Sequence, residues 1–462
     1  MYTEDTIAAI TTPPGVGGVS IIRLSGKDSF TIANACFRDQ KQEPLSKRQN
    51  RTIQYGHIVN PEEEESPIDE VLLLLMKGPH SYTAEDVVEI QCHGGYTAVQ
   101  EILKVVIAQG ARMAEPGEFT KRAFLNGRID LTEAEAIADI IDAKTDKSLQ
   151  LAVNQLGGAL SKKVGALREA LITLIARLEV TIDYPEEDIE EVSINEARET
   201  IQPIVKDMKE LLETAQSGQL IRDGLMAVII GRPNAGKSSL LNALLRKNRA
   251  IVTDIPGTTR DSIEEIINVD GIVLRLVDTA GLRETEDAVE QFGVEKAKEY
   301  INEADLIIAV VDASTPLTAE EKDILQAISG KATLICLNKE DKGVCVTAKD
   351  IEAIGQFSKI APISAAQGEG LTPLRELVKE LVYGGQVIPT YQALLTNTRQ
   401  ITLMETAYKQ LQQSLETMDQ HMPIDCVVTD IRGAWESLGE ITGQSVGQSI
   451  VDELFSRFCL GK

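Results

Sequence analysis

The residue types most able to do chemistry lie in three short segments: 231–238 (Gly-Arg-Pro-Asn-Ala-Gly-Lys-Ser), 278–281 (Asp-Thr-Ala-Gly) and 338–341 (Asn-Lys-Glu-Asp). The first has the spacing of a phosphate-binding loop. Gly231 and Gly236 let backbone N–H groups face phosphate oxygens, and Lys237 is placed to reach the β- and γ-phosphates as a catalytic cation. Asn234, Ala235, Gly236, Lys237, Ser238 and Ser239 make the phosphate end of the site, and the Ser238 hydroxyl suits Mg²⁺. Asp278 can hold that ion through water, while Thr279, Ala280 and Gly281 bring a backbone N–H toward the γ-phosphate. Asn338, Lys339 and Asp341 supply the base end. A carboxylate that accepts from guanine N1 and N2 would be unpaired against adenine, which selects GTP over ATP. Ser364, Ala365 and Ala366 follow, with a backbone N–H for the guanine O6.

Between the first two segments stands Thr253-Asp254-Ile255-Pro256-Gly257-Thr258-Thr259-Arg260-Asp261. A threonine here can close over Mg²⁺ and the γ-phosphate, as switch segments do, and Thr259 is the choice; Thr253 and Thr258 are further nucleotide contacts. Many GTPases place a glutamine straight after the glycine of the second segment to orient the attacking water. Here that position is Leu282, which cannot do so. The water-positioning group must come from elsewhere, and residues 282–290 offer several carboxylates.

These segments need strands to end on and helices to begin. Apolar runs at 226–230, 273–277, 305–312 and 333–337 read as buried parallel strands, and 240–245 as the helix after the phosphate loop. Residues 1–120 read as α+β: strands at 19–24, 52–59, 71–76 and 87–91, and a helix at 97–109 capped by Gly110. The run 71–76 reads as a buried strand, too short to span a bilayer. Leu149, Val153, Leu156, Leu160, Val164, Leu167, Leu171, Leu174 and Leu178 recur at three and four, which predicts one face of a long helix packed in a bundle core. Leu394, Thr398, Ile401, Met404, Leu411, Leu415 and Met418 repeat the pattern. The expected fold class is therefore multi-domain: an α+β N-terminal domain (1–120), an all-α helical domain in two segments (121–217 and 382–462), and an inserted Ras-like α/β P-loop GTPase domain (218–381).

The chain carries 46 Lys and Arg against 71 Asp and Glu, a formal net charge of −25. That balance suits solubility better than broad contact with a phosphate backbone. The six cysteines and four histidines show no metal-ligand spacing, so reduced thiols are expected. With no signal-peptide pattern either, a cytoplasmic location is expected.

Residues 116–131 (Pro-Gly-Glu-Phe-Thr-Lys-Arg-Ala-Phe-Leu-Asn-Gly-Arg-Ile-Asp-Leu) and the ending Cys459-Leu460-Gly461-Lys462, with the GTPase set between them, resemble the tRNA-modification GTPase family called MnmE or TrmE. The resemblance covers essentially the whole chain. It implies a K⁺-assisted GTPase that works with a flavoprotein partner, MnmG (GidA), which uses FAD and NADH. Together they add an aminomethyl or carboxymethylaminomethyl group at C5 of the wobble uridine of certain tRNAs. It also implies a tetrahydrofolate one-carbon donor, 5-formyl- or 5,10-methylene-tetrahydrofolate, in a folate-binding and dimerising N-terminal domain. A homodimer that joins MnmG in a heterotetramer follows, with no membrane involved; the acidic balance leaves either a local basic patch or, as the favoured reading, a partner that carries most of the tRNA surface.

Carried over residue by residue, the resemblance places K⁺ at Asn234, Thr253, Ile255 and Thr258, makes Glu290 the water-positioning carboxylate, and assigns Arg23, Glu89, Arg128 and Lys462 to folate. Arg128 stands where some members have lysine, which keeps the charge and changes the donor geometry. Cys459 has no base beside it in sequence and reads as a packing or positioning residue. The rival reading is an RNA- or ribosome-binding assembly switch. Such proteins usually bring a basic RNA-binding module, and no Gly-x-x-Gly clamp in a basic context stands outside the GTPase segment.

Overall fold

The computed structural model describes residues 5–41, 43–62, 66–183, 194–248, 264–269, 271–278, 300–383 and 394–462. The chain divides into two compact units, one joining Met1–Ala138 to Gly439–Lys462 and one spanning Asp139–Leu438.

In the first unit, β1 (Ile7–Ile10), β2 (Gly17–Ser25), β3 (Phe37–Arg38), β4 (Thr52–Val59), β5 (Pro67–Met76), β6 (Val87–Gly94) and β7 (Arg112–Met113) form one sheet in the order β3-β4-β5-β6-β2-β1-β7. Its pairings are antiparallel except β1 with β7. Helices α1 (Ser29–Cys36) and α2 (Tyr96–Ala108) share a core with one face of the sheet. An antiparallel sheet covered on one face alternates apolar-in and polar-out, with period two. The apolar run 71–76, expected to be a buried strand, obeys that geometry and is buried on one face. Val71, Leu73 and Leu75 are buried, and Leu72, pointing the other way, is exposed. Helix α3 (Glu118–Leu125) follows Gly117, whose φ of 70° a side chain would strain.

Helix α4 (Leu131–Asp142) runs into the second unit, followed by α5 (Asp146–Leu156), α6 (Ala159–Asp183) and α7 (Ile194–Asp223). The single long helix expected over 149–178 is two. Gly157 and Gly158, the latter at φ 75°, break the hydrogen-bond ladder, and α6 restarts in a new rotational phase. The stripe therefore changes face. From Leu160 to Leu178 it is buried, but Leu149, Val153 and Leu156 are exposed, and α5 buries Leu151, Ala152 and Gln155 instead. In the later helix Thr398–Asp419, Met404, Leu411 and Met418 are buried as their spacing predicts.

Between these helical stretches lies a second sheet. It contains β8 (Leu225–Ile230), β9 (Glu264–Val269), β10 (Ile272–Asp278), β11 (Leu306–Asp312), β12 (Thr333–Asn338) and β13 (Lys359–Pro362), ordered β13-β12-β11-β8-β10-β9. Only β9 is antiparallel to its neighbour. Every residue of β11 and β12 is buried, as a parallel sheet packed on both faces requires. Helix α8 (Lys237–Asn248) follows β8.

Candidate functional site: a phosphate loop and a cationic cluster

The loop after β8 takes its shape from two glycines and an asparagine. Gly231 has φ 146°, Asn234 φ 62° and Gly236 φ 104°. A Cβ on Gly231 would run into the Val310 carbonyl, and one on Gly236 into Asn338 Nδ2. The backbone can therefore coil tightly against the sheet and deliver its N–H groups to the start of α8, where the helix dipole also favours an anion. Lys237 opens that helix, and its Nζ donates to the carbonyls of Gly231 and Arg232 at 2.9 Å each, held inside the loop it would serve. Ser238 and Ser239 are exposed beside it.

The base end forms at the carboxyl ends of β11 and β12. Asn338, 3% exposed, donates from Nδ2 to the Ala235 carbonyl at 2.8 Å and accepts from the Ala365 N–H at 3.0 Å. One buried amide thus ties the phosphate loop to segment 364–366. Lys339, in the left-handed region at φ 64°, donates to the Asn234 carbonyl and to Asp312, both at 2.7 Å. Ser364 Oγ donates to Asp341 Oδ1 at 3.0 Å, leaving Asp341 exposed. A pocket of about 330 Å³ opens between α8 and residues 365–368, with Ser239, Ala365 and Ala366 on its wall.

Asp312 is the residue whose importance the sequence pattern hides; it reads only as the end of a strand. Burial alone would raise its carboxyl, but hydrogen bonds from Lys339 and Ser314 outweigh that and hold it at about 2. Arg232 approaches the same carboxylate at 3.3 Å and also reaches Glu321 at 3.3 Å. Asp312 therefore anchors two cations of the loop edge.

The structure thus brings together Asn234, Ala235, Gly236, Lys237, Ser238, Ser239, Asn338, Lys339, Asp341, Ser364, Ala365 and Ala366 along one edge of the sheet. Asp278 ends β10, its backbone in register with Ile229 of β8. Thr253, Ile255, Thr258, Thr259, Thr279, Ala280, Gly281 and Glu290 lie outside the described residues.

A second gathering lies in the first unit. Arg23 on β2 and Glu89 on β6 are cross-strand partners, joined by a 2.8 Å ion pair. The Arg23 guanidinium stands 4.8 Å from the Tyr82 ring centre and 5.5 Å from that of Phe119, and Arg128 stands 4.9 Å from the Tyr82 ring. Tyr82 is gripped along its length. Its hydroxyl meets Thr120 Oγ1 at 2.9 Å, and its carbonyl accepts from Arg128 at 2.7 Å. The neighbouring Thr83 carbonyl accepts from Asn126 at 2.7 Å. Behind this, Arg122 is 3% exposed and paired with Asp5, Glu85 and Glu118, which fixes α3 against the strands.

Residues 459–462 join the same cluster. The Phe119 N–H donates to the Lys462 carbonyl at 3.1 Å, and the Gly117 N–H to that of Cys459 at 3.4 Å. Burial pushes the Lys462 ammonium below its usual value, and the nearby Arg23 adds to this, while Cys459 and Glu89 oppose it. The Cys459 thiol is exposed, and its carbonyl accepts from the Gly117 N–H. Of the four residues carried over by resemblance, Arg23 and Arg128 thus share the Tyr82 ring, Glu89 joins through its ion pair with Arg23, and Lys462 lies near both Arg23 and Glu89. Tyr82 and Phe119 were not singled out from sequence. The interleaving of aromatics with Arg122 and Arg128 was the available signal for Phe119, and Tyr82 had none.

Arg23 Nη1 is buried with no hydrogen-bond partner among the described residues. A buried donor left unpaired is costly, and it fits an anionic or acceptor-bearing flat ligand arriving at the cluster.

A phosphate loop, a strand-end aspartate and an Asn-Lys-x-Asp turn on the carboxyl edge of a mostly parallel sheet define a P-loop GTP-binding domain. A family model described as "GTP-binding protein TrmE N-terminus" matches residues 6–128, and one described as "MnmE helical domain" matches residues 131–459. Over the full length of both chains, this one is 48% identical to the "tRNA modification GTPase MnmE" of Alkaliphilus oremlandii and 47% identical to that of Clostridioides difficile. It is 49% identical to that of Acetivibrio thermocellus, also over the whole of each chain. The chain belongs to the MnmE (TrmE) family of tRNA modification GTPases. Among the described residues, no helix is long and apolar enough to cross a membrane.

Proposed function

We propose that this chain hydrolyses GTP with Mg²⁺ and K⁺ and, in complex with an MnmG-type flavoprotein, adds an aminomethyl or carboxymethylaminomethyl group to C5 of the wobble uridine of certain tRNAs. The observation that carries this reading is the gathering of Arg128, Glu89 and Lys462 near Arg23, which shares the Tyr82 ring with Arg128 and has its Nη1 buried and unpaired among the described residues, in a chain that also holds a phosphate loop. The flat ring of a folate suits Tyr82 and Glu89, and its anionic tail suits the cations. A tetrahydrofolate unit bound there would supply the added carbon, and the partner's FAD and NADH the electrons.

In the GTPase half, Lys237 would leave its loop carbonyls for the β- and γ-phosphates, and Ser238 with Thr259 would hold Mg²⁺. Asn234, with Thr253, Ile255 and Thr258, would hold a K⁺ that offsets charge developing between the phosphates, a task an arginine performs in other GTPases. Glu290 would orient the water. The acidic balance of the chain supports a tRNA carried mainly by the partner, and the full assembly would be a homodimer joined to that partner as a heterotetramer. The test is mass spectrometry of tRNA nucleosides from cells with and without this chain. Loss of the 5-aminomethyl-type uridines is expected, and an unchanged profile would overturn the modification reading.

A further inference from the structure

Helix α5 touches the GTP-binding sheet at one end and the segment that leads into the helix Thr398–Asp419 at the other. At its first turn, the Lys147 side chain packs on Gly271, in the turn between β9 and β10, where φ is 89° and any Cβ would strike the lysine. Gly271 N–H donates to Asn268 Oδ1 at 2.8 Å, so that turn is itself tight. At the last turn of α5, Gln155 is 1% exposed, and its Nε2 donates to the Leu394 carbonyl at 2.7 Å and to Thr396 Oγ1 at 2.8 Å. Those two residues lead into the helix Thr398–Asp419, whose cap is Asn397 accepting from the Gln400 N–H at 2.9 Å. The other chain connection to the sheet is held close by: Arg222, in the last turn of α7, pairs with Asp139 at 2.8 Å just before β8 begins.

The β9–β10 hairpin is the part of the sheet best placed to report on the nucleotide. In the chain, β9 follows Thr258 and Thr259, and β10 ends at Asp278. Its turn rests on α5. A helix of 11 residues spans about 16 Å and does not bend readily without a proline or glycine inside it. One further fact sets Gln155 apart from an ordinary structural glutamine: its Oε1 is buried with no partner among the described residues. Because Nε2 is fixed by two acceptors, the amide cannot turn to relieve this. A buried acceptor left unpaired in one arrangement favours any other arrangement that supplies a donor, as a two-position element requires.

We propose that α5 is a lever that couples the β9–β10 turn to the start of the helix Thr398–Asp419, and that Gln155 is the positioning residue through which it holds Leu394 and Thr396. The proposal rests on GTP binding at the phosphate loop, and the test keeps the two apart. Hydrogen exchange of the full-length chain is followed at residues 394–401 with GDP and with a non-hydrolysable GTP analogue, while nucleotide affinity is measured by fluorescence. In the wild type the exchange rates of this segment should differ between the two nucleotides by about tenfold, the size of a typical coupling between sites. Gln155→Met keeps the volume but removes the donors and the orphan acceptor, and should shrink the difference to within about twofold while nucleotide affinity stays the same. Thr396→Val, which removes one acceptor only, should shrink it part of the way and serves if the methionine variant does not fold. No nucleotide-dependent difference in the wild type, or a full difference surviving in the variants, would overturn the lever. Failure to bind nucleotide at all would instead overturn the phosphate-loop reading.

Discussion

The two sites of this chain are made of different material. At the GTP-binding edge, backbone does most of the work. Carbonyls of Gly231, Arg232, Asn234 and Ala235 hold Lys237, Lys339 and Asn338, and the loop fits only because Gly231 and Gly236 carry no Cβ. The cluster around Tyr82 is made of side chains: two guanidiniums, a carboxylate, an ammonium and two aromatic rings. A backbone site should tolerate many substitutions nearby and fail when a methyl group enters the wrong place. A side-chain site should fail by loss of charge or ring and be indifferent to modest changes in backbone freedom.

Five substitutions sharpen or break this contrast. The largest effect is expected of Glu290→Ala, which should lower GTP turnover by at least about a hundredfold, the scale of a lost water-orienting carboxylate, with nucleotide and folate affinities both kept. Steady-state phosphate release and ligand titrations check it together, and retained turnover would remove Glu290 from its assigned role. Gly236→Ala should weaken GDP binding by about a hundredfold, because φ 104° and Asn338 Nδ2 both reject a Cβ. Titration with 5-formyltetrahydrofolate should show no change in this variant.

Arg23→Gln is the converse. It should cost roughly ten- to a hundredfold in 5-formyltetrahydrofolate affinity, the worth of a charge-assisted hydrogen bond, and leave GDP binding alone. If either variant damaged both affinities equally, the contrast between the two sites would fail.

The smallest effect is one of pH. Asp312 is held at about 2, below its usual 3.8, so its contribution to stability is complete above 3.8 and is lost as pH falls through about 2. Asp312→Asn should therefore lower the urea midpoint at pH 6, and the gap from wild type should close as pH falls toward 2. Asp5, beside Arg112 and Arg122 in the other unit, is likewise held at about 2. Asp5→Asn should show the same pH pattern, more weakly, since Asp5 is the more exposed of the two and its ion pairs are better screened.

How much of this was legible in the sequence follows from the same difference in material. A phosphate loop is a run of eight residues between a strand and a helix, so spacing alone locates it, and Asn338 and Asp341 come from one turn. The Tyr82 cluster draws on residues 23, 82, 89, 119, 128 and 462, which no spacing connects. Only the family resemblance connects Arg23, Glu89, Arg128 and Lys462, and nothing in the sequence points to Tyr82. Asp312 was invisible because its role depends on Lys339 adopting φ 64° across a parallel pair of strands. In the helices, the i, i+3, i+4 pattern runs straight through Gly157 and Gly158. Periodicity cannot say that a helix has stopped and restarted with another face inward, and Val153, 52% exposed, is the result.

Residues 459–462 lie against α3 and beside Arg23. A ribosome makes Arg128 and then 462 − 128 = 334 further residues before Lys462 exists. At about ten residues per second, that is roughly half a minute in which the N-terminal strands exist without the Lys462 ammonium beside Arg23. In that interval the whole GTP-binding segment is synthesised. A chain that stalls or is clipped near its end would keep its phosphate loop and lose its full grip on the Tyr82 cluster. Closure of the Tyr82 cluster thus waits on residues made long after its strands.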